Sequence, residues 1–402
     1  MTDLVSKIKQ SARALGEDAC RQVALDMICI DPGALAQVAP YIAGKSYQRV
    51  ALAADEATYA AAGKELEDML AAAGIHVQVT LIKPDLQGDV VADERAVIQL
   101  ILAIQQQQAE AVLAVGGGTI HDIVRYAAYT TGHPFISVPT APSVDGFNSK
   151  GAPLIVRGEK ITIPAIGPDA IFADLHVLEK APASLIAAGF GDMLGKYTSL
   201  FDWKFGAIIA GEPYLPVSAE LTAEALQQCV AQADLIAAGR EEGIRTLITA
   251  LVQSGLAMLL FGKSHPASGS EHHLSHYWEM EYLRLGKRQL LHGAKVGVAC
   301  LQISRLYHQL AEQGIALAAE HCTEQQLQQA ERLTSNWTEI ASSIKQIPQE
   351  ETLRALLQKV GAPVTTAELG IEGELLARSL REAHLVRPER YTLLRLKNEW
   401  GQ

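Results

Sequence analysis

Cysteine is sparse and unpatterned in this 402-residue chain. Cys20, Cys29, Cys229, Cys300 and Cys322 are widely spaced, odd in number and form no CxxC pair. That excludes a disulfide framework and predicts reduced thiols in a cytoplasmic protein. A basic surplus is missing too: 45 Asp and Glu against 34 Lys and Arg leave a net charge of −11. No nucleic-acid partner is expected from that balance, which still allows a small anionic substrate in a locally positive pocket. The opening MTDLVSKIKQSARALGED lacks the apolar core of a secretory signal. Apolar stretches such as Ala187–Phe190 and Gly255–Phe261 read as too short to span a bilayer, so no membrane partner is expected.

What is present is the composition of an ordered globular protein, 49% hydrophobic and 20% charged. The length allows two or more domains, each with its own core. In the first half, short β-rich runs alternate with helical stretches. Val50–Ala54, His76–Ile82, Ala111–Val115 and Phe135–Val138 read as strands. Thr58–Ala73, Val90–Gln107 and Thr119 to about Thr130 read as helices between them. This alternation predicts an α/β fold with a parallel sheet covered on both faces. Gly151–Ile166 reads as a hairpin turning at Arg157-Gly158. After Pro182, β-branched runs become scarce and Ala, Leu, Gln and Glu dominate. The spacing predicts an α/β domain over residues 1–181 and an all-helical domain over 182–402.

Three features point to chemistry. VLAVGGGTIHD sets Gly116, Gly117 and Gly118 between a strand and a helix, where free N–H groups and a positive dipole end suit a diphosphate. The spacing is not GxGxxG, and a tight turn without a ligand is the bland alternative. Asp55, at the end of the Val50–Ala54 strand, suits either a ribose hydroxyl or a helix cap. SVPTAPSVDGFNSKGAP (Ser137–Pro153) follows a strand end, where open α/β sheets bind ligands. It offers Thr140, Asp145, Ser149 and Lys150.

The densest signal is SGSEHHLSHYWEMEYLRLGKRQLLHG, Ser268–Gly293. Five of the twelve histidines lie between His265 and His292. His272 and His276 stand at i and i+4, on one face of a helix. Neutral imidazole is the commonest side-chain metal ligand, and two histidines with one carboxylate leave a coordination position open for catalysis. Asp192 in AAGFGDMLGK is the best carboxylate partner for His272 and His292, with Asp202 as a rival and a plain helix cap as the alternative role.

Glycine turn, polar loop, GFGD helix, SGSEHxxSH and HGxxVG, in this order, resemble the bacterial glycerol-1-phosphate dehydrogenases. These belong to the iron-containing alcohol dehydrogenase and dehydroquinate synthase-like superfamily. The resemblance runs from about Ala51 to the closing VRPERYTLLRLKNEW. It implies a Rossmann-like nucleotide domain and a helical domain with the active site between them. By resemblance, Gly117, Gly118, Thr119, Ile120, His121 and Asp122 line the dinucleotide phosphates, and Thr140, Ala141, Pro142, Ser143 and Ser149 also touch the cofactor. Asp145 contacts substrate, Asp192, His272 and His292 hold one divalent metal, and His276 faces the substrate. His273, beside His272, is the competing ligand. The implied metal is zinc or nickel, with iron compatible with the same donors. The implied reaction is NAD(P)H-dependent reduction of dihydroxyacetone phosphate to sn-glycerol-1-phosphate in a homodimer, with Asp55 favouring NAD. Lys150 and Lys196 are candidates for the substrate phosphate. A glycerol or polyol dehydrogenase on the same scaffold is the nearest rival, a dehydroquinate synthase-like lyase a more distant one, and a non-catalytic nucleotide-binding or sensor protein the alternative of a different class.

Overall fold

The computed structural model describes residues 2–23, 25–315 and 323–400. Its centre is a six-stranded, wholly parallel sheet in the order β1-β8-β5-β4-β2-β3. The strands are β1 Met27–Asp31, β2 Arg49–Ala54, β3 His76–Leu81, β4 Ala111–Gly116, β5 Phe135–Pro139 and β8 Ala170–Asp174. β6 Gly151–Val156 and β7 Glu159–Pro164 form a separate antiparallel hairpin. Its tip places Arg157 and Gly158 at positive φ, 54° and 82°, as a tight two-residue hairpin turn requires.

The sheet is covered on both sides, which is why its central strands carry no polar alternation. Leu52, Leu113 and Ile136 pack with Val38, Ile42, Leu66 and Leu70 on one face. Ala51, Val112 and Phe135 pack with Leu100, Ile104, Ile123 and Val124 on the other. The expected strands β2 to β5 and the hairpin are all present. The Thr58–Ala73 stretch is helical but interrupted by a π-helical turn over Tyr59–Gly63. β1 and β8 are additions to the sheet that the alternation did not reveal.

After β8, the described residues form helices and no further strand. The longest apolar one, Glu241–Phe261, has 21 residues and is apolar enough to cross a membrane by length and composition. Gly255–Phe261 is therefore the end of a longer apolar element than the sequence suggested. Its side chains are spent on the interior: Leu247, Leu251, Leu256 and Leu259 lie in the largest core cluster, with Ile8 and Ala12 of the N-terminal helix packed among them.

Cys20, Cys29, Cys229 and Cys300 are unpaired thiols, and Cys322 lies outside the described residues.

Two places explain why the motif glycines are there. A Cβ on Gly189 would stand 1.9 Å from the Pro142 carbonyl oxygen, and one on Gly293 would stand 1.8 Å from that of Ala188. Only glycine permits those approaches. They draw the Ala183–Leu194 helix against both the polar loop after β5 and the start of the His292–Gln313 helix, which brings Asp192 beside His292.

Candidate active site

The glycine turn and the polar loop leave the carboxyl ends of adjacent strands, β4 and β5, the edge where open α/β sheets take ligands. Thr140 N–H donates to the Gly116 carbonyl at 3.2 Å, tying one to the other. Gly117 caps the Gly118–Thr131 helix, and a Cβ there would meet nothing within 4 Å. The turn thus presents open backbone, as close approach of a ligand requires.

The residues expected to line the cofactor divide. Thr119 is exposed, and Gly117, Gly118 and Ser149 are half-buried. Thr140, Ala141, Pro142 and Ser143 are buried in the clamped loop. Ile120 is a core residue beneath Gly116. His121 is fully buried, its Nδ1 2.9 Å from the Gly117 carbonyl oxygen and its Nε2 2.7 Å from Ser137 Oγ. Burial pushes its pKa down to about 3, so it braces the turn as a neutral ring. Asp122 pairs with the buried Arg125 guanidinium at 2.6 Å. Asp55 caps the next helix, accepting from Thr58 N–H at 2.8 Å through Oδ1 in a capping box. The local role is therefore filled.

One donor atom each from Asp192, His272 and His292 lie within 4.8 Å of one another. They are close enough to converge on a single cation about 2 Å from each. Asp192 Oδ1 is 3.7 Å from His272 Nε2, and the His272 and His292 ring centroids are 5.1 Å apart. Asp192 is fully buried in the last turn of the Ala183–Leu194 helix, so the cap role considered for it does not hold. Asp202 is not part of the cluster. It accepts from Ser270 N–H at 2.8 Å, Leu393 N–H at 3.0 Å and Tyr307 O–H at 2.7 Å, which fixes the start of the histidine helix. Burial, with Glu271 adding to it, raises the Asp202 pKa to about 6. His273 points away from the donors, fully buried, with neither ring nitrogen hydrogen-bonded.

His276 stands one turn from His272, its ring centroid 6.4 Å from that of His272 and 6.3 Å from that of His292. Burial first, then neighbouring positive groups, hold His276 and His292 well below the usual histidine pKa. Both are therefore neutral near pH 7, the form in which imidazole binds metal or relays a proton.

Sequence reasoning missed the groups that hold this cluster in place. Glu271 accepts from His272 Nδ1–H at 2.7 Å, from Gly269 N–H at 2.7 Å and from Thr198 O–H at 2.6 Å. Burial works to raise the Glu271 pKa, but the His272 contact and the other donors leave it lowered. The contact fixes the tautomer that leaves the His272 Nε2 lone pair facing Asp192. Replacing Glu271 with Gln should weaken metal affinity by about 10- to 100-fold without unfolding the protein. Competition against a chelator measures this, and unchanged affinity would remove Glu271 from the site.

Lys196 was named for a different role. Its Nζ, fully buried, lies 2.7 Å from Asp145 Oδ2 and 2.8 Å from Asp192 Oδ1, and donates to the Ala267 carbonyl at 3.2 Å. Asp145 N–H donates to Asp192 Oδ2 at 3.0 Å, and Ser254 O–H to Asp145 Oδ2 at 2.8 Å. Lys196 is thus fully engaged by two carboxylates, which corrects its assignment to the substrate phosphate. Its i, i+4 spacing from Asp192 was the signal that could have revealed this. Lys150 is half-buried, its pKa lowered by desolvation.

One polar loop thus ties an open glycine turn at the strand ends to a His–His–Asp donor cluster, an arrangement that suits a metal-assisted NAD(P) dehydrogenase, and comparison with known proteins agrees. Residues 29–182 match the iron-containing alcohol dehydrogenase family. The archaeal halo-thermophilic Red Sea brine pool alcohol dehydrogenase superposes with a TM-score of 0.67 at 15% identity, covering 91% of this chain and 92% of that one. The glycerol-1-phosphate dehydrogenase [NAD(P)+] of Geobacillus stearothermophilus is 48% identical over 377 residues, 94% of this chain and 93% of that one. The enzyme of the same name from Bacillus subtilis (strain 168) is 40% identical over 400 residues, 99% and 97% of the two chains. The chain belongs to the glycerol-1-phosphate dehydrogenase family.

Proposed function

We propose that this protein is an NAD(P)-dependent sn-glycerol-1-phosphate dehydrogenase that works mainly as a dihydroxyacetone phosphate reductase. The observation that carries the reading is the Asp192–His272–His292 cluster, joined by the Thr140–Asp145 loop to the open Gly117 turn, beside relatives that bear this activity in their names. Residues 1–181 then serve as the dinucleotide-binding domain and residues 182–402 as the metal- and substrate-binding domain.

Asp192, His272 and His292 hold one divalent cation, zinc or nickel by preference. When bound, that ion supplies Lewis acidity at the substrate C2 oxygen and the dinucleotide supplies the hydride. The backbone of Gly117, Gly118 and Thr119 receives the cofactor diphosphate at a helix N-terminus, and Thr140–Ser143 and Ser149 line its path. Asp145 orients the substrate through Oδ1, the oxygen that Lys196 and Ser254 leave free. His276 relays the proton to the product hydroxyl, one ring nitrogen giving up its proton as the other takes one from water. Each of these groups is fixed before substrate arrives, so the chain's contribution is position and electrostatics.

Asp55 favours NADH, because a carboxylate near the ribose repels a 2′-phosphate. Replacing Asp55 with Ala should narrow the ratio of kcat/KM for NADH over NADPH. A wild type that already prefers NADPH would defeat this assignment. The reading also makes the protein a cytoplasmic homodimer, which light scattering of the purified chain tests. Substrate choice tests the function itself: reduction of dihydroxyacetone phosphate supports it, whereas activity on glycerol or dihydroxyacetone alone would make it a polyol dehydrogenase.

A further inference from the structure

His272, His276 and Glu279 stand at i, i+4 and i+7 and share one face of the Ser270–Arg284 helix. His272 ends this stripe at the metal donors, and Glu279 ends it among cations. Glu279 Oε1 and Oε2 lie 2.9 Å and 2.8 Å from Lys160 Nζ, and Oε2 lies 2.7 Å from Lys295 Nζ. Lys160 comes from β7 of the hairpin, and Lys295 lies three residues past His292, in the same first helical turn. Three separate elements therefore meet at one carboxylate.

We propose that Lys160 and Lys295, aligned by Glu279, form the subsite that recognises the phosphate of the substrate. The inference rests on the function proposed above and names the residues that separate a phosphorylated ketone from a plain one.

The charge balance supports it. Two ammonium groups share one carboxylate, which leaves one positive charge without a partner in the triad. The side chains of Lys160, Lys295 and Glu279 are only 12%, 2% and 14% exposed. Burying an unpaired charge is costly, and here burial depresses the Lys295 pKa even though Glu279 opposes it. A phosphomonoester, at about −1.5 to −2 near pH 7, removes that cost on arrival. The position fits as well. Glu279 lies one helical turn past His276, and Lys295 one turn past His292, so the carboxylate and one ammonium stand on the same two helices as the histidines. The triad thus lies next to the metal donors along the chain of both helices.

The same two lysines could serve the cofactor's diphosphate instead, or merely clamp the hairpin to the helices. Kinetics of metal-loaded, full-length Lys160→Met separate these cases. The expected result is a KM for dihydroxyacetone phosphate raised about 10- to 100-fold, the size of a lost charged hydrogen bond. The KM for NADH should change far less than that for dihydroxyacetone phosphate, and Lys160→Arg should restore much of the loss. A raised KM for NADH with that for the ketone unchanged overturns the inference in favour of the diphosphate. Unchanged kinetics with a lowered Tm overturns it in favour of a clamp. Should Lys160→Met fail to fold, inorganic phosphate decides on the wild type: inhibition competitive with dihydroxyacetone phosphate but not with NADH supports the subsite, and any other pattern overturns it. A wild type inert toward dihydroxyacetone phosphate is a different failure. It defeats the proposed function, and the subsite with it.

Discussion

Replacing His272 with alanine is expected to abolish metal retention and turnover together. Asp192 and His292 would remain, but two donors do not make the three-ligand site of a catalytic metal. Losing Lewis-acid stabilisation of charge at the C2 oxygen removes several kcal/mol from the transition state. The rate should therefore fall by at least about a thousandfold. The fold should survive, because Glu271 keeps Thr198 and Gly269 as partners. Metal content by elemental analysis and NADH oxidation on the same sample check both halves. A variant that keeps its metal and its rate would transfer the role to His273, which the structure buries away from the donors.

Lys196→Met is expected to act on stability more than on any single kinetic constant. The lysine is the shared counter-ion of Asp145 and Asp192, and its removal leaves two adjacent carboxylates in a dry interior. Breaking a buried pair by deleting one partner costs about 3–5 kcal/mol. The loss should be larger in chelated protein than in metal-loaded protein, because a bound divalent cation offsets part of the same negative charge. Urea unfolding of both forms measures the difference. Equal stability of variant and wild type in both forms would show that the lysine holds nothing that matters to the fold.

Much of this molecule was legible in the sequence where the signal was local. Strands β2 to β5 announced themselves by regular alternation with helices, and the hairpin by its Arg157-Gly158 turn. The donor set was legible from the i, i+4 histidines and the glycines flanking Asp192 and His292. β1 and β8 were not. Each is a five-residue strand; β8 is buried on both faces, and β1 alternates in burial while Met27, Ile28, Cys29 and Ile30 are all apolar, so neither shows a usable period in the sequence. They also pair across the chain, Met27 with Ala170. The groups around the metal site were hidden for a different reason. Neighbours in a helix do not normally face each other, so Glu271 gave no hint that it would reach His272. Lys160 and Glu279 are 119 positions apart in the chain, and nothing local to either foretells the contact. Asp55 shows the opposite limit. Its sequence context suited a cap and a ribose contact equally, and the structure fills the cap.

The central claim is that this donor cluster and this turn reduce dihydroxyacetone phosphate. The most direct measurement is NADH oxidation with that ketone by chelated protein reloaded separately with Zn²⁺, Ni²⁺ and Fe²⁺, followed by chiral analysis of the product. The account predicts no rate without metal and, with zinc or nickel, turnover to sn-glycerol-1-phosphate. Full activity in the chelated protein would contradict it, as would reduction of unphosphorylated ketones alone.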